Sequence, residues 1–190
     1  MFVLGVDPGV SRCGYGCISS DGISSDGPGS IGSLNGRGRG RGELSVVAMG
    51  VVTTPAPDEL PSRLAALDAE LRRLLAELRP DAVAVERLFF QANARTAMSV
   101  GQASGLVLAA ASATGAQVVQ YTPNEVKQAV AGYGAAPKEQ MQRMVQAQLR
   151  LPAKPEPADV ADALALALCH LAMAPLQARI RAASGSGVAR

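Results

Sequence analysis

Phe2-Val3-Leu4-Gly5-Val6-Asp7-Pro8-Gly9 is an apolar run that meets one carboxylate and then a Pro-Gly break. That order predicts a short buried strand ending at Asp7. A charge is costly to bury without partners. Asp7 is therefore either a turn former, as Asp before Pro-Gly often is, or a ligand. Ala82-Val83-Ala84-Val85-Glu86 repeats the pattern: a second buried strand closed by an acid. Between the two, Leu60, Leu64, Leu67, Leu71, Leu74, Leu75 and Leu78 recur at helical spacing, predicting an amphipathic helix to about Arg79. Strand, helix, strand by a right-handed crossover makes the two strands parallel. Asp7 and Glu86 then emerge at one edge of the sheet. Open α/β sheets hold their chemistry outside the carboxyl ends of such strands.

The 190 residues suit one domain with decoration. We read that domain over 1–174, with a low-complexity hairpin insertion at 20–43 and a flexible basic tail at 175–190. The insertion is almost wholly Gly, Ser, Asp, Asn and Arg, with little to bury. Its three arginines are balanced by Asp21, Asp26 and Glu43, whereas the tail carries Arg179, Arg181 and Arg190 and no acid. The net charge of +2 thus leaves a body near −1, so bulk charge does not argue for nucleic acid. No apolar run reaches the roughly 18 residues of a membrane span, and no signal peptide is legible. Cys13, Cys17 and Cys169 form neither a disulfide framework nor a zinc site, and read as reduced thiols. The expected location is cytoplasmic, with no membrane partner.

Elsewhere, Gly14–Ser19 and Glu43–Thr54 predict two more strands, the first in a hairpin with the N-terminal strand. Leu88–Thr96 reads as a loop carrying Phe89-Phe90, and Ala97–Ala113 as a small-residue helix. Its Gly101-x-x-x-Gly105 spacing predicts close approach of another backbone, from the sheet or a second subunit. Gln117–Tyr121 is a further strand. Thr122-Pro123-Asn124-Glu125 is a capping box opening a helix that contains Lys127. Pro137 opens another, with Lys138 in its first turn, where the helix dipole disfavours a cation. Service to a phosphate would explain that lysine. A last helix runs from near Pro157 to about Met173.

Asp159 and Asp162 in that helix are three apart and share a face. First-turn acids also complement a helix dipole, which accounts for Asp159 better than for Asp162. Four convergent carboxylates repel one another unless cations sit among them, and oxygen-only ligands suit Mg²⁺ or Mn²⁺. Two such ions about 3.5–4 Å apart clamp a scissile phosphate. The lone His170 reads as a packed or capping histidine.

Gly5-Val6-Asp7-Pro8-Gly9, Glu86-x-x-Phe89, the Val126-Lys127-Gln128 to Pro137-Lys138 stretch, and Asp159-x-x-Asp162-Ala163-Leu164 followed by Cys169-His170 resemble the RuvC family of Holliday-junction resolvases. The resemblance runs over nearly the whole chain apart from Ser20–Gly42 and the tail. It implies that 1–174 is a nuclease domain with an α/β, RNase H-like fold: a five-stranded mixed sheet, three strands antiparallel, flanked by helices. It implies a homodimer that nicks two opposed strands of a four-way DNA junction by Mg²⁺-dependent hydrolysis. Two Mg²⁺ per subunit, with Mn²⁺ as a substitute, are the implied cofactors, and RuvA and RuvB the implied protein partners. Asp7, Glu86, Asp159 and Asp162 match the metal-binding catalytic acids. Phe89 matches an aromatic that stacks on an unpaired base. Lys127 and Lys138 match basic residues near the scissile phosphate.

Two other classes suit parts of the pattern. Nucleotide-binding ATPases and kinases of the actin and sugar-kinase type also end a first strand in Gly-x-Asp-x-Gly, but they need two lobes. A junction-binding protein without catalysis would have no reason to gather acids where phosphate sits.

Overall fold

The computed structural model describes residues 1–20, 43–87 and 94–185. Its strands are β1 (Phe2–Asp7), β2 (Arg12–Ser19), β3 (Ser45–Thr53), β4 (Ala82–Glu86) and β5 (Gln117–Tyr121). Its helices are α1 (Leu60–Leu78), α2 (Ala94–Ala113), α3 (Pro123–Ala131), α4 (Lys138–Gln148) and α5 (Ala158–Gly185). The strands form one sheet in the order β3-β2-β1-β4-β5. β1, β2 and β3 run antiparallel, and β4 and β5 run parallel to β1. This is the expected five-stranded mixed sheet with three antiparallel strands.

Side-chain alternation splits the core in two. On β1, Leu4 and Val6 pack with α1 and α2, while Val3 faces the layer built by α3, α4 and α5. On β4, Val83 and Val85 join the first layer and Ala82 and Ala84 the second. The leucine stripe of α1 buries Leu67, Leu71, Leu74 and Leu75, each contributing about 1.5–3 kcal/mol. Pro61 stands in the helix's first turn, where its missing N–H costs nothing. Arg79, at φ 43°, ends the helix with its N–H on the Leu75 carbonyl.

Three expectations need correcting. α2 begins at Ala94, about a turn before Ala97. Gly101 and Gly105 have no neighbouring atom within 4 Å of where a Cβ would stand, so the sheet does not approach them. α5 does not stop at Met173 but continues through Pro175 to Gly185. A proline removes one hydrogen bond and costs about 3 kcal/mol in a helix interior. The following Leu176-Gln177-Ala178-Arg179 are strong helix formers that carry the helix on.

α5 also bears on the membrane question. Ala158–Pro175 has a mean hydropathy of 1.4, long and apolar enough to span a bilayer by length and composition. It lies instead across β1 and β2, with α3 and α4 against its side, and buries Ala163 through His170. Its apolarity is that of a core helix.

Candidate functional site

The parity of β1 and β4 aims the two strand-end acids. Val6 and Val85 are paired in the parallel ladder, and Asp7 and Glu86 are the next residue on each strand. Each shares the face of the residues two and four before it, which is the α5 face. Both line a cavity of about 350 Å³ beyond the strand ends, together with Asp162, Lys127 and Lys138.

What brings α5 to that edge is a patch of glycine. Gly5 and Gly16 face each other across the β1–β2 ladder, as do Asp7 and Gly14. A Cβ on Gly5 would stand 1.9 Å from the Ala163 carbonyl oxygen, and one on Gly14 2.2 Å from that of Asp159. One on Gly16 would meet Leu164 Cδ2 at 2.6 Å. The helix backbone therefore rests directly on the sheet, with its first turn beside Asp7.

That placement separates the two helix acids. Asp162 lines the cavity and accepts a hydrogen bond from Lys138 Nζ at 2.9 Å. Asp159 is not among the cavity's lining residues. Its Oδ2 accepts from Arg12 Nε at 3.0 Å and lies 2.9 Å from Arg12 Nη2. The four acids thus do not face one point. Three line the cavity, and the fourth is turned to an arginine beside it. Lys138 has a carboxylate partner that offsets its unfavourable place in the first turn of α4. Lys127 is presented by α3, whose capping box forms as expected: Glu125 N–H donates to Thr122 Oγ1, and Thr122 N–H to Glu125 Oε2.

The electrostatics record the crowding. Burial, then the charges of Asp162, Glu86 and Asp159, push the Asp7 carboxyl up to about 7. Burial and Asp162 also raise Glu86. The hydrogen bond to Asp162 raises Lys138. Among the described residues, no three carboxylates, cysteines or histidines stand within reach of a single ion. The donor set nonetheless suits a hard divalent cation: every candidate ligand is a carboxylate oxygen, and Asp7 and Glu86 carry a repulsion that a cation relieves. Lys138 and Arg12 meet part of that demand with side-chain charge.

Two features of the site are silent in the sequence. One is Arg12. The other is the fastening of the Pro8–Ser11 turn: Thr54 Oγ1 donates to the Val10 carbonyl at 2.6 Å, and Arg63 donates to Thr54 Oγ1 and Ser11 Oγ at 2.9 and 2.6 Å. Arg63 lies on a helix whose legible signal is its leucine stripe, and nothing in that stripe marks one of its polar residues as a clamp. Phe89 lies outside the described residues. His170 is buried, with its Nδ1 2.8 Å from the Tyr121 hydroxyl. The three cysteines are buried and unbridged, and burial pushes their thiols up to about 11–12.

The family model described as crossover junction endodeoxyribonuclease RuvC matches residues 28–170. The chain belongs to the RuvC family. A RuvC of Parafrankia sp. (strain EAN1pec) is 50% identical over 97% of this chain and 93% of its own. That of Moorella thermoacetica is 45% identical over 97% and 99%. The solved structure of Thermus thermophilus RuvC in complex with Holliday junction substrate superposes with a TM-score of 0.78 at 35% identity, covering 93% of this chain and 96% of that one. The fold is accordingly the RNase H-like fold of the RuvC family.

Proposed function

We propose that this chain resolves Holliday junctions, nicking two opposed strands of a four-way DNA junction as a metal-dependent endonuclease in recombination and repair. One observation carries most of the support. Three carboxylates and two lysines from five separate elements line one cavity outside the carboxyl ends of β1 and β4. They do so in a chain 45–50% identical to proteins named as junction endonucleases.

Asp7, Glu86, Asp162 and Asp159 would together hold the metal ions. Divalent ions bound there, two Mg²⁺ per subunit with Mn²⁺ as a substitute, supply the charge that activates water and stabilises the leaving oxygen. The strand ends and the glycine-seated helix fix where Asp7, Glu86 and Asp162 stand before DNA arrives, so little reorganisation of these three remains at the moment of reaction. Lys127 and Lys138 bind phosphate oxygens at the cavity mouth. Phe89 stacks on an unpaired base near the crossover. Water adds to phosphorus and the P–O3′ bond breaks, leaving a 5′-phosphate and a 3′-hydroxyl that a ligase can join.

The working unit is a homodimer of the 1–174 domain, whose two-fold axis matches that of the junction. The uncovered face of α2 at Gly101 and Gly105, beside the exposed Met98, suits the approach of a second subunit's backbone. RuvA and RuvB are its branch-migration partners, in the cytoplasm. The insertion at 20–43 and the tail beyond 174 decorate this unit. A nucleotide-binding ATPase or kinase is the poorer reading, because relatives matching nearly the whole chain are named endonucleases.

A nicking assay with Mg²⁺ tests the proposal on a synthetic four-way junction and a linear duplex of the same sequence. Paired nicks in opposed strands of the junction alone are expected. Equal nicking of both substrates, or an ATP-binding shift without nicking, would overturn it.

A further inference from the structure

Arg12 opens β2 on the face that carries Gly14 and Gly16, the two glycines on which α5 rests. Its guanidinium meets the Asp159 carboxylate in the first turn of α5. A cation there is disfavoured by the helix dipole, a cost that its pairing with Asp159 through two nitrogens offsets. The pair is half exposed, with side-chain accessibilities of 49% and 30%, and open to an incoming ligand. Asp159, so engaged, does not line the cavity that Asp7, Glu86 and Asp162 share. A guanidinium takes phosphate as readily as carboxylate, in the same two-pronged geometry.

We propose that Arg12 is a positioning residue exchanged between two anions: it holds Asp159 off the metal cavity in the free protein, and passes to a DNA backbone phosphate when the junction binds, freeing Asp159 as the fourth ligand. Metal affinity and junction binding are then coupled through one ion pair, so the ligand set is completed only on the nucleic acid. This rests on the metal-dependent reading above. It adds that Arg12 acts through Asp159 and not through charge alone.

The test is Mn²⁺ binding to the full-length protein without DNA, measured by calorimetry, for wild type, Arg12→Gln, Arg12→Lys, Asp159→Asn and the Arg12→Gln/Asp159→Asn double variant. Breaking a half-exposed pair is expected to tighten Mn²⁺ binding about two- to fivefold in Arg12→Gln, the range of exposed ion-pair energies. Arg12→Lys, which keeps the charge and loses the fork, should fall between. In the Asp159→Asn background Arg12→Gln should change nothing. A second readout is the salt dependence of junction binding in EDTA, whose log–log slope should fall by about one per subunit in Arg12→Gln.

Equal tightening with and without Asp159 would reduce Arg12 to a background charge and overturn the inference, as would no tightening or an unchanged salt slope. Asp7→Asn in the same titration separates the two failures. If it leaves Mn²⁺ binding untouched, the metal reading itself falls. If it abolishes binding while Arg12→Gln is silent, only the role of Arg12 falls.

Discussion

Asp7→Asn removes junction cleavage, by about 10³-fold or more, while junction binding stays as tight or becomes tighter. Losing one oriented group that stabilises transition-state charge typically costs about 10²–10³ in rate. Asp7 stands closer to the chemistry than such a group, because it shares the cavity with both Glu86 and Asp162. Binding does not suffer, because the change removes a negative charge where phosphate must lie. The variant has a second signature that needs no DNA. The Asp7 carboxyl rises from 3.8 to about 7 on folding, through burial and the neighbouring Asp162, Glu86 and Asp159. Between those values the folded chain keeps a proton that the unfolded chain has released. Stability from this group is therefore full below about pH 4 and is lost as pH rises through about 7. Thermal unfolding in EDTA should show Tm falling from pH 5 to pH 8 in the wild type, less steeply in Asp7→Asn. Glu86, raised for the same reasons, supplies the slope that remains. Retained cleavage would refute the role of Asp7, and lost binding would make it a structural acid.

Gly5→Ala is expected to lower Tm by about 5–10 °C and to cut cleavage further than the lost stability explains. The added methyl meets the α5 backbone at one helical turn: the Ala163 carbonyl oxygen at 1.9 Å and the Ala167 nitrogen at 2.9 Å. No side chain can swing away, so α5 must lift from the sheet. Overpacking of this kind costs about 1–3 kcal/mol or more, and each kcal/mol is worth about 2–4 °C in a domain of this size. Lifting α5 also carries Asp162 away from Asp7 and Glu86, and a misplacement of about 1 Å can cost about 10²-fold in rate. Thermal unfolding and single-turnover cleavage well below the variant's Tm distinguish the two effects. Normal cleavage at that temperature would mean the helix seat does not set the site.

The strand-end acids are legible in the sequence because a buried apolar run that stops at a carboxylate admits few readings, and strand–helix–strand order fixes which edge they share. The capping box at Thr122 is legible for a similar reason: its signature is local, four residues long, and the structure forms it as written. Arg12 is not legible. Nothing near it in sequence tells that Asp159, 147 residues on, lies beside it. Lys138 stands out by its misfit with the helix dipole, yet its partner is a carboxylate of the same site. Gly14 and Gly16 read simply as strand residues near a turn. Their purpose depends on a helix arriving from the far end of the chain, which single-sequence periodicity does not encode. Gly101 and Gly105 go the other way: their spacing suggests an intimate contact, and nothing in the described residues of the fold supplies it.

The most direct test of metal-borne phosphodiester hydrolysis replaces the 3′ bridging oxygen of the scissile phosphate with sulfur. Sulfur is a poor ligand for Mg²⁺ and a better one for the softer Mn²⁺. Junctions carrying the substitution should be nicked slowly in Mg²⁺, with the rate restored in Mn²⁺ relative to the all-oxygen junction. An identical sulfur effect in the two metals would contradict the account, because no ion would then be touching the leaving atom.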